Sequence, residues 1–252
     1  MNIDKDGNII EGGMETEVVE VQWNPSKYGT LKPKIKIKPV IIDGDTITFI
    51  TGNNAKYINE NKIGPGAKIT VIKSGDVIPK VMKVIKGVKP QFPDNIKWHW
   101  NDSRVEIIMD ESHSSSEVLV KKLINFFTVL KIPNLNTGIL NKLVESGFSS
   151  IKTICSMNEA DFMTIPGIQR KSAIKLYESI HNIIDKPIEL HTLMSASGLF
   201  GHGFGERKLL PLTTKYPNII KDYKKIGKSD IMSVEGFSDI STEKFLKALP
   251  DF

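Results

Sequence analysis

The chemistry this chain can most plainly support is capture of phosphate by backbone amides. Gly203-Phe204-Gly205-Glu206-Arg207-Lys208 sets two glycines around one large apolar residue, directly ahead of a helix-like run. Small residues permit a tight reversal with positive φ. The helix that begins there presents N–H groups with no partner of their own, and with the helix dipole these attract phosphate. The apolar residue would plug the turn into a core. The pattern recurs three times. Ile165-Pro166-Gly167-Ile168-Gln169 keeps the first glycine and is followed by Arg170 and Lys171. Ile132-Pro133-Asn134-Leu135-Asn136 places asparagine, which tolerates the left-handed region, at both glycine positions. Val234-Glu235-Gly236-Phe237-Ser238 ends on serine and is acidic nearby, with Glu235 and Asp239. Aligned on Asn134, Gly167, Gly203 and Gly236, the copies are 33, 36 and 33 residues apart.

A tight hairpin between two helices, repeated at a near-constant period, is a helix-hairpin-helix pattern. Contacts of this kind read the phosphate backbone rather than the bases. The amides of Gly167, Ile168, Gly203 and Gly205, with Arg170, Lys171, Arg207 and Lys208 adding charge, are the expected ligands. The competing explanation is ordinary helical packing with glycine C-caps. It weighs as much as phosphate binding for the first and fourth copies, so the fourth can be purely structural.

The elements that must position these turns change along the chain. From Glu117 onward apolar residues recur at three- and four-residue steps (Val118, Leu119, Leu123, Phe126, Phe127, Leu130), the period of a helix. Residues 17–89 instead alternate with period two, as in Lys34-Ile35-Lys36-Ile37-Lys38 and Thr46-Ile47-Thr48-Phe49-Ile50. Ile69–Lys73 and Val77-Ile78 follow across the turn Ser74-Gly75-Asp76, and Asn54–Asn61 can form a short helix. Several short strands enclosing one helix imply a small closed β-barrel. Between the two regions, Lys97–Asp102 and Val105–Met109 suggest a small hairpin. There Trp98 and Trp100 share one face, read as a small core in preference to a base-stacking surface, and His99 takes the other. Residues 1–14 read as a flexible lead-in, and the polar run at 112–116 as a break and helix cap. The organisation expected is therefore a lead-in over 1–14, a barrel over 15–90, a connecting β-hairpin over 91–116 and a helical domain of four repeats over 117–252.

Charge is uneven. Residues 21–97 hold fourteen lysines against five acids, a net +9, whereas residues 98–252 are nearly neutral. A basic first domain suggests a polyanionic partner. Other chemistries find little support. A single cysteine, Cys155, excludes an internal disulfide and a thiolate-built zinc site, and fits an intracellular setting. No apolar run approaches the ~20 residues of a membrane helix, and the polar start is not a secretory signal. Gly201-x-Gly203-x-Gly205 lacks the preceding strand and spacing of a dinucleotide loop. No nucleophile motif joins Ser, His and Asp, and His181, His191 and His202 read as surface or core residues, His202 being able to touch phosphate when protonated.

Three elements in fixed order carry a family resemblance: Thr51-Gly52-Asn53-Asn54, Ile63-Gly64-Pro65-Gly66-Ala67, and Lys73-Ser74-Gly75-Asp76-Val77-Ile78-Pro79-Lys80. Preceded by Val21-Gln22-Trp23-Asn24-Pro25-Ser26, this run resembles the oligonucleotide-binding (OB) barrel of NAD-dependent DNA ligases, in a viral or phage-like variant. The four hairpins are similar to the helix-hairpin-helix domain that follows the barrel in that family. The resemblance covers roughly residues 15–252. It implies an all-β OB barrel in the minor groove beside a nick, and an all-α domain holding the flanking duplex. Lys32, Lys34, Lys36, Lys56 and Lys73 would contact phosphates, Asn54 would shape the surface, and Asp76 would fix a turn.

The family's adenylation domain, whose Lys-x-Asp-Gly lysine takes AMP from NAD, has no counterpart in these residues. Lys5-Asp6-Gly7 lacks the intervening residue and reads as a linker turn. The family's four-cysteine zinc finger is replaced by residues 90–116, including His113. No catalytic residue, metal or cofactor is therefore expected in this chain; NAD would bind an adenylation domain. The implied partners are nicked duplex DNA and a separately encoded adenylation domain, with no membrane, in the cytoplasm, the nucleoid or a viral replication site. The alternatives are a stand-alone architectural protein joining an OB barrel to hairpins, such as a four-way-junction binder, and a protein-docking module whose hairpins have lost DNA contact.

Overall fold

The computed structural model describes residues 2–3, 9–10, 13–74, 78–110 and 116–252. The chain forms two compact units, Met1–Ser114 and Ser115–Phe252. In the first, β1 (Asn2–Ile3) pairs antiparallel with β2 (Ile9–Ile10). The residues between them lie outside the described ones, as do Lys5, Asp6 and Gly7 of the expected linker turn.

The barrel comprises β3 (Met14–Pro25), β4 (Thr30–Ile42), β5 (Asp45–Thr51), α1 (Ala55–Glu60), β6 (Lys68–Ser74) and β7 (Ile78–Lys86). β3 pairs with both β4 and β6, β6 with β7, and β4 with β5, all antiparallel. One parallel link, Thr51 opposite Lys80, joins β5 to β7 and closes the cylinder. The alternation in β4 does what its period dictates. Leu31, Pro33, Ile35 and Ile37 are buried, while Lys32, Lys34, Lys36 and Lys38 point the other way. Val18, Val21, Ile50, Ile69 and Val71 complete the core with Ile35 and Ile37, each side chain contributing ~1.5–3 kcal/mol through removal from water. α1 buries Ala55 and Ile58, and Asn54 caps it by accepting the Tyr57 amide at 2.8 Å.

The glycine turn after α1 is explained by close approach. A Cβ on Gly64 would meet the Lys89 carbonyl oxygen at 2.2 Å, and Gly66 has φ +88°. Its amide bonds the Val18 carbonyl at 2.8 Å, stitching the turn to β3. Gly75, Asp76 and Val77 lie outside the described residues, and with them the turn assigned to Asp76.

Past the barrel, β8 (Trp98–Trp100) and β9 (Ile107–Met109) form an antiparallel hairpin. β9 adds to the start of β4, so the hairpin extends the barrel sheet. Phe92 stacks between Trp23 (5.5 Å) and Trp98 (5.1 Å), with Trp100 edge-on at 5.8 Å. The indoles of Trp23 and Trp98 donate to the carbonyls of Gln91 and Pro93. His99 is exposed on the opposite face, 2.7 Å from Asp110. The two tryptophans share one face, as their alternation predicts, and meet edge to face at 6.1 Å, both half-buried. His113 and the rest of 111–115 lie outside the described residues, so the cap expected there is not defined.

The second unit is entirely helical: α2 (Ser116–Val129), α3 (Thr137–Glu145), α4 (Ile151–Cys155), α5 (Glu159–Met163), α6 (Arg170–Ile184), α7 (Leu190–Ser197), α8 (Glu206–Lys215), α9 (Ile219–Asp222), α10 (Lys228–Met232) and α11 (Asp239–Ala248). Its hairpins are packed in pairs. The first two share a core that includes Phe127, Leu140, Phe162, Ile168 and Leu176. The last two share another, with Phe200, Phe204, Leu209, Ile231 and Phe245. α7 feeds both, giving Ala196 to the first and Met194 to the second.

Candidate nucleic-acid interface

The four turns have the same backbone. Asn134, Gly167, Gly203 and Gly236 all adopt positive φ, at +68°, +80°, +93° and +84°. The next residue is the plug: Leu135, Ile168 and Phe204 are buried, and Phe237 is half-buried. The residue after that is extended and caps the second helix, at Asn136, Gln169, Gly205 and Ser238.

The caps differ in chemistry. The Asn136 side chain accepts the Ile139 amide at 3.1 Å. Ser238 and Ser241 form a reciprocal capping box. Gln169 and Gly205 make no side-chain cap bond. The amides opening α6 and α8, those of Arg170, Lys171, Glu206 and Arg207, therefore have no intrahelical acceptor and no side-chain substitute. Hairpins two and three are open to an anion, while hairpins one and four fill part of the same need internally.

The expected ligands separate by geometry. Arg170, Lys171 and Arg207 are exposed at the two open helix starts. No bond engages the amides of Gly167, Gly203 or Gly205 among the described residues. The Ile168 amide differs from expectation: it donates to the Ile165 carbonyl at 3.0 Å, because the chain closes a turn just before the helix. The Ile168 amide is thus engaged within the turn, and its side chain is the buried plug. Lys208 is partly withdrawn. Its ammonium lies 4.9 Å from the ring centres of both Phe204 and Phe237, and desolvation there lowers its pKa below the usual lysine value. It borders a depression shared by Gly203, Gly205, Arg207, Glu235 and Gly236.

The barrel lysines also separate. Lys32 pairs with Glu106 at 2.6 Å and Lys56 with Glu60 at 3.7 Å. Lys73 pairs with Asp45, its side chain only 10% exposed, so that ammonium is committed to the barrel. Lys34 and Lys36 have no ion pair among the described residues. The Lys34 ammonium sits 4.2 Å from the centre of the Phe49 ring. The register places Lys34 beside Thr51 and Thr51 beside Lys80, all three exposed. Lys34, Lys36, Phe49, Thr51 and Lys80 thus form one basic face with an aromatic within it. Lys80 was not among the expected ligands, because its place depends on the parallel closure, which strand alternation does not reveal. Asn54 acts as a helix cap at the edge of this region.

Among the described residues no three His, Cys, Asp or Glu side chains are placed to hold a metal ion. No helix of the described residues is long and apolar enough to cross a membrane.

Comparison with known proteins agrees with this architecture. Residues 15–92 match the NAD-dependent DNA ligase OB-fold domain, and residues 126–182 match the SAM-like helix-hairpin-helix tandem. A DNA ligase of Acanthamoeba polyphaga mimivirus is 40% identical over 243 residues, 95% of this chain and 38% of that protein. A protein of Invertebrate iridescent virus 6 named as a DNA ligase is 33% identical over 222 residues, 88% of this chain and 34% of that protein. The DNA ligase of Desulfatibacillum aliphaticivorans is 29% identical over 247 residues, 93% of this chain and 37% of its own length. The chain thus spans little more than a third of each relative. Its barrel is similar to the OB-fold domain of NAD-dependent DNA ligases and residues 126–182 to a helix-hairpin-helix tandem, and 95% of the chain aligns with a share of a viral DNA ligase that makes up 38% of that protein.

Proposed function

We propose that this chain is the DNA-holding portion of an NAD-dependent ligase, which clamps nicked duplex while a 5′-phosphate is joined through an adenylated DNA intermediate. The observation that carries this reading is the combination of a ligase-type barrel with two hairpins whose second helices begin uncapped. The open starts of α6 and α8, through Gly167, Gly203, Gly205, Arg170, Lys171 and Arg207, grip the phosphates of the flanking duplex, with Lys208 adding charge from the side. The barrel face around Lys34, Lys36 and Lys80 lies on the backbone near the nick, with Lys32, Lys56, Lys73 and Asn54 at its margins. NAD and the nucleotidyl transfer belong to an adenylation domain outside these 252 residues. This chain's part is to bind and orient.

Fluorescence anisotropy with nicked, intact and four-way-junction DNA across a salt series tests the reading. Binding of linear duplex with a log–log slope of about −0.9 per phosphate neutralised is expected. A marked preference for junctions would replace the clamp by an architectural protein. Very weak, salt-insensitive binding would replace it by a protein-docking module. Mixing the chain with a separately encoded adenylation domain should restore NAD-dependent sealing of a nicked duplex. A mixture that binds DNA without sealing would reject the two-chain arrangement.

A further inference from the structure

At hairpin two, a cation from another hairpin stands beside the turn. Lys142 belongs to α3, the second helix of hairpin one. A methyl group placed on Gly167 would lie 2.9 Å from the Lys142 ammonium nitrogen. Lys142 is exposed, and no carboxylate lies within ion-pair distance of it among the described residues. The cation is therefore next to the open helix start and is not neutralised.

The placement follows a rule internal to the fold. Lys142 lies eight residues beyond Asn134, about two helical turns into the second helix. Lys175 lies eight beyond Gly167, and it borders a depression with Lys131 and Asn134 of hairpin one. Pro211 lies eight beyond Gly203, and it borders the depression holding Glu235 and Gly236 of hairpin four. In these three cases this position in one hairpin lies beside the turn of its packed partner. The residue found there varies with the state of that turn. Hairpin two is open and receives a bare lysine. Hairpin four is capped and acidic and receives a proline. Hairpin one is intermediate: it receives Lys175, but Glu178 shares that depression, Asn136 caps the helix, and the side-chain Nδ2 of Asn134 donates to the Ser179 hydroxyl at 2.8 Å.

We propose that Lys142 is a phosphate ligand supplied across the pair, so that hairpin one, whose own helix start is capped, acts on the nucleic-acid backbone by completing hairpin two. An ammonium is a compact charge with three donors. It supplies the point charge that the α6 amides lack, alongside Arg170 and Lys171. The inference rests on the phosphate-binding reading above and adds a residue that the hairpin pattern does not contain.

Anisotropy on a duplex over a salt series, using the full chain and its variants Lys142→Ala, Lys142→Arg, Lys175→Ala and Lys152→Ala, tests it. Lys142→Ala is expected to reduce the magnitude of the salt slope by about one and to weaken binding roughly tenfold at low salt, with unchanged melting temperature. Lys142→Arg should retain the slope. Lys175→Ala should lose less, and Lys152→Ala, an exposed lysine on α4, should match the parent. If the parent binds DNA with a steep salt slope and Lys142→Ala behaves identically, this inference fails while the phosphate reading stands. If the parent shows no salt-dependent binding, both fall.

Discussion

Hairpins two and three differ from hairpins one and four by little in backbone and by much in chemistry. All four hold a left-handed residue, an apolar plug and an extended cap in the same order. Hairpins one and four close their second helices with Asn136 and Ser238, bonds worth ~0.5–2 kcal/mol each. Hairpins two and three forgo that stabilisation with a glutamine that does not cap and a glycine that cannot. A local rule broken in two of four repeats, with Arg170 and Lys171 directly after the cap in one and Arg207 and Lys208 one residue further on in the other, is the pattern expected where function competes with stability. A helix N-terminus can serve phosphate only where the sequence leaves it unsatisfied.

If hairpin four is scaffold for hairpin three, damage to its core must reach DNA. Phe245 of α11 is fully buried, stacks on Phe200 at 4.8 Å, and also faces Phe204, the plug of hairpin three. Phe245→Ala should cost ~3–5 kcal/mol, read by urea unfolding. It should also remove the DNA-binding share of hairpin three while the core around Phe162 stays intact. DNA affinity that survives loss of this core would break the dependence.

Steric strain provides the next comparison. Gly203 and Gly236 have φ of +93° and +84°, and no atom crowds a Cβ at Gly203 while only the Lys208 stem meets one at Gly236, at 3.9 Å. Valine at either position should cost a similar ~1–2 kcal/mol from the left-handed backbone alone. Only Gly203→Val should weaken DNA binding. Equal losses of affinity at equal losses of stability would mean that hairpin four also grips phosphate.

The sequence reached this contrast only in part, and the reasons are physical. The repeat was legible because one positive φ and one plug impose glycine or asparagine followed by an apolar residue at a fixed spacing. The barrel was legible because β4 exposes one face, which makes its lysines alternate. What alternation cannot carry is a partner. Lys73 and Lys36 look alike along the chain, but Asp45, 28 residues from Lys73, binds the first and no described acid the second. The pairing of hairpins into two cores depends on packing between helices, so Lys142 beside Gly167 had no local signal. The Ile168 amide has no local signal for the same reason: its bond to the Ile165 carbonyl is a property of the closed turn, not of the residue.

Exchanging caps sharpens the contrast at the scale of one hydrogen bond. Asn136→Ala and Ser238→Ala should each destabilise by ~1 kcal/mol and leave the affinity of the folded protein for DNA unchanged. Gly205→Ser should do the reverse. The backbone there, φ −85° and ψ 171°, already suits a serine cap, and no atom lies within 4 Å of the added Cβ. The new hydroxyl would satisfy an amide that otherwise meets phosphate, so melting temperature rises and affinity falls several-fold. A gain in both would show that the α8 amides do not contact DNA.

The smallest effect tests whether hairpin four is neutral toward DNA. Lys228 bridges Asp239 and Glu243, both at 2.6 Å, beside the start of α11. The hydrogen bonds it donates to these carboxylates raise its pKa, so it remains charged at any pH used for DNA binding. The sign follows from a folded pKa above the unfolded one: the ion pairs' stabilisation is full below the ordinary lysine value and fades as pH rises through the folded one. The group is solvent-exposed, and pairs of this kind add little stability. Lys228→Gln should therefore barely move the melting temperature. It releases two carboxylates at the mouth of a hairpin, however, and near DNA that would repel phosphate. Unchanged affinity and salt slope would place hairpin four away from the duplex. A several-fold loss, steeper at low salt, would bring all four hairpins onto DNA and make capping a difference of degree.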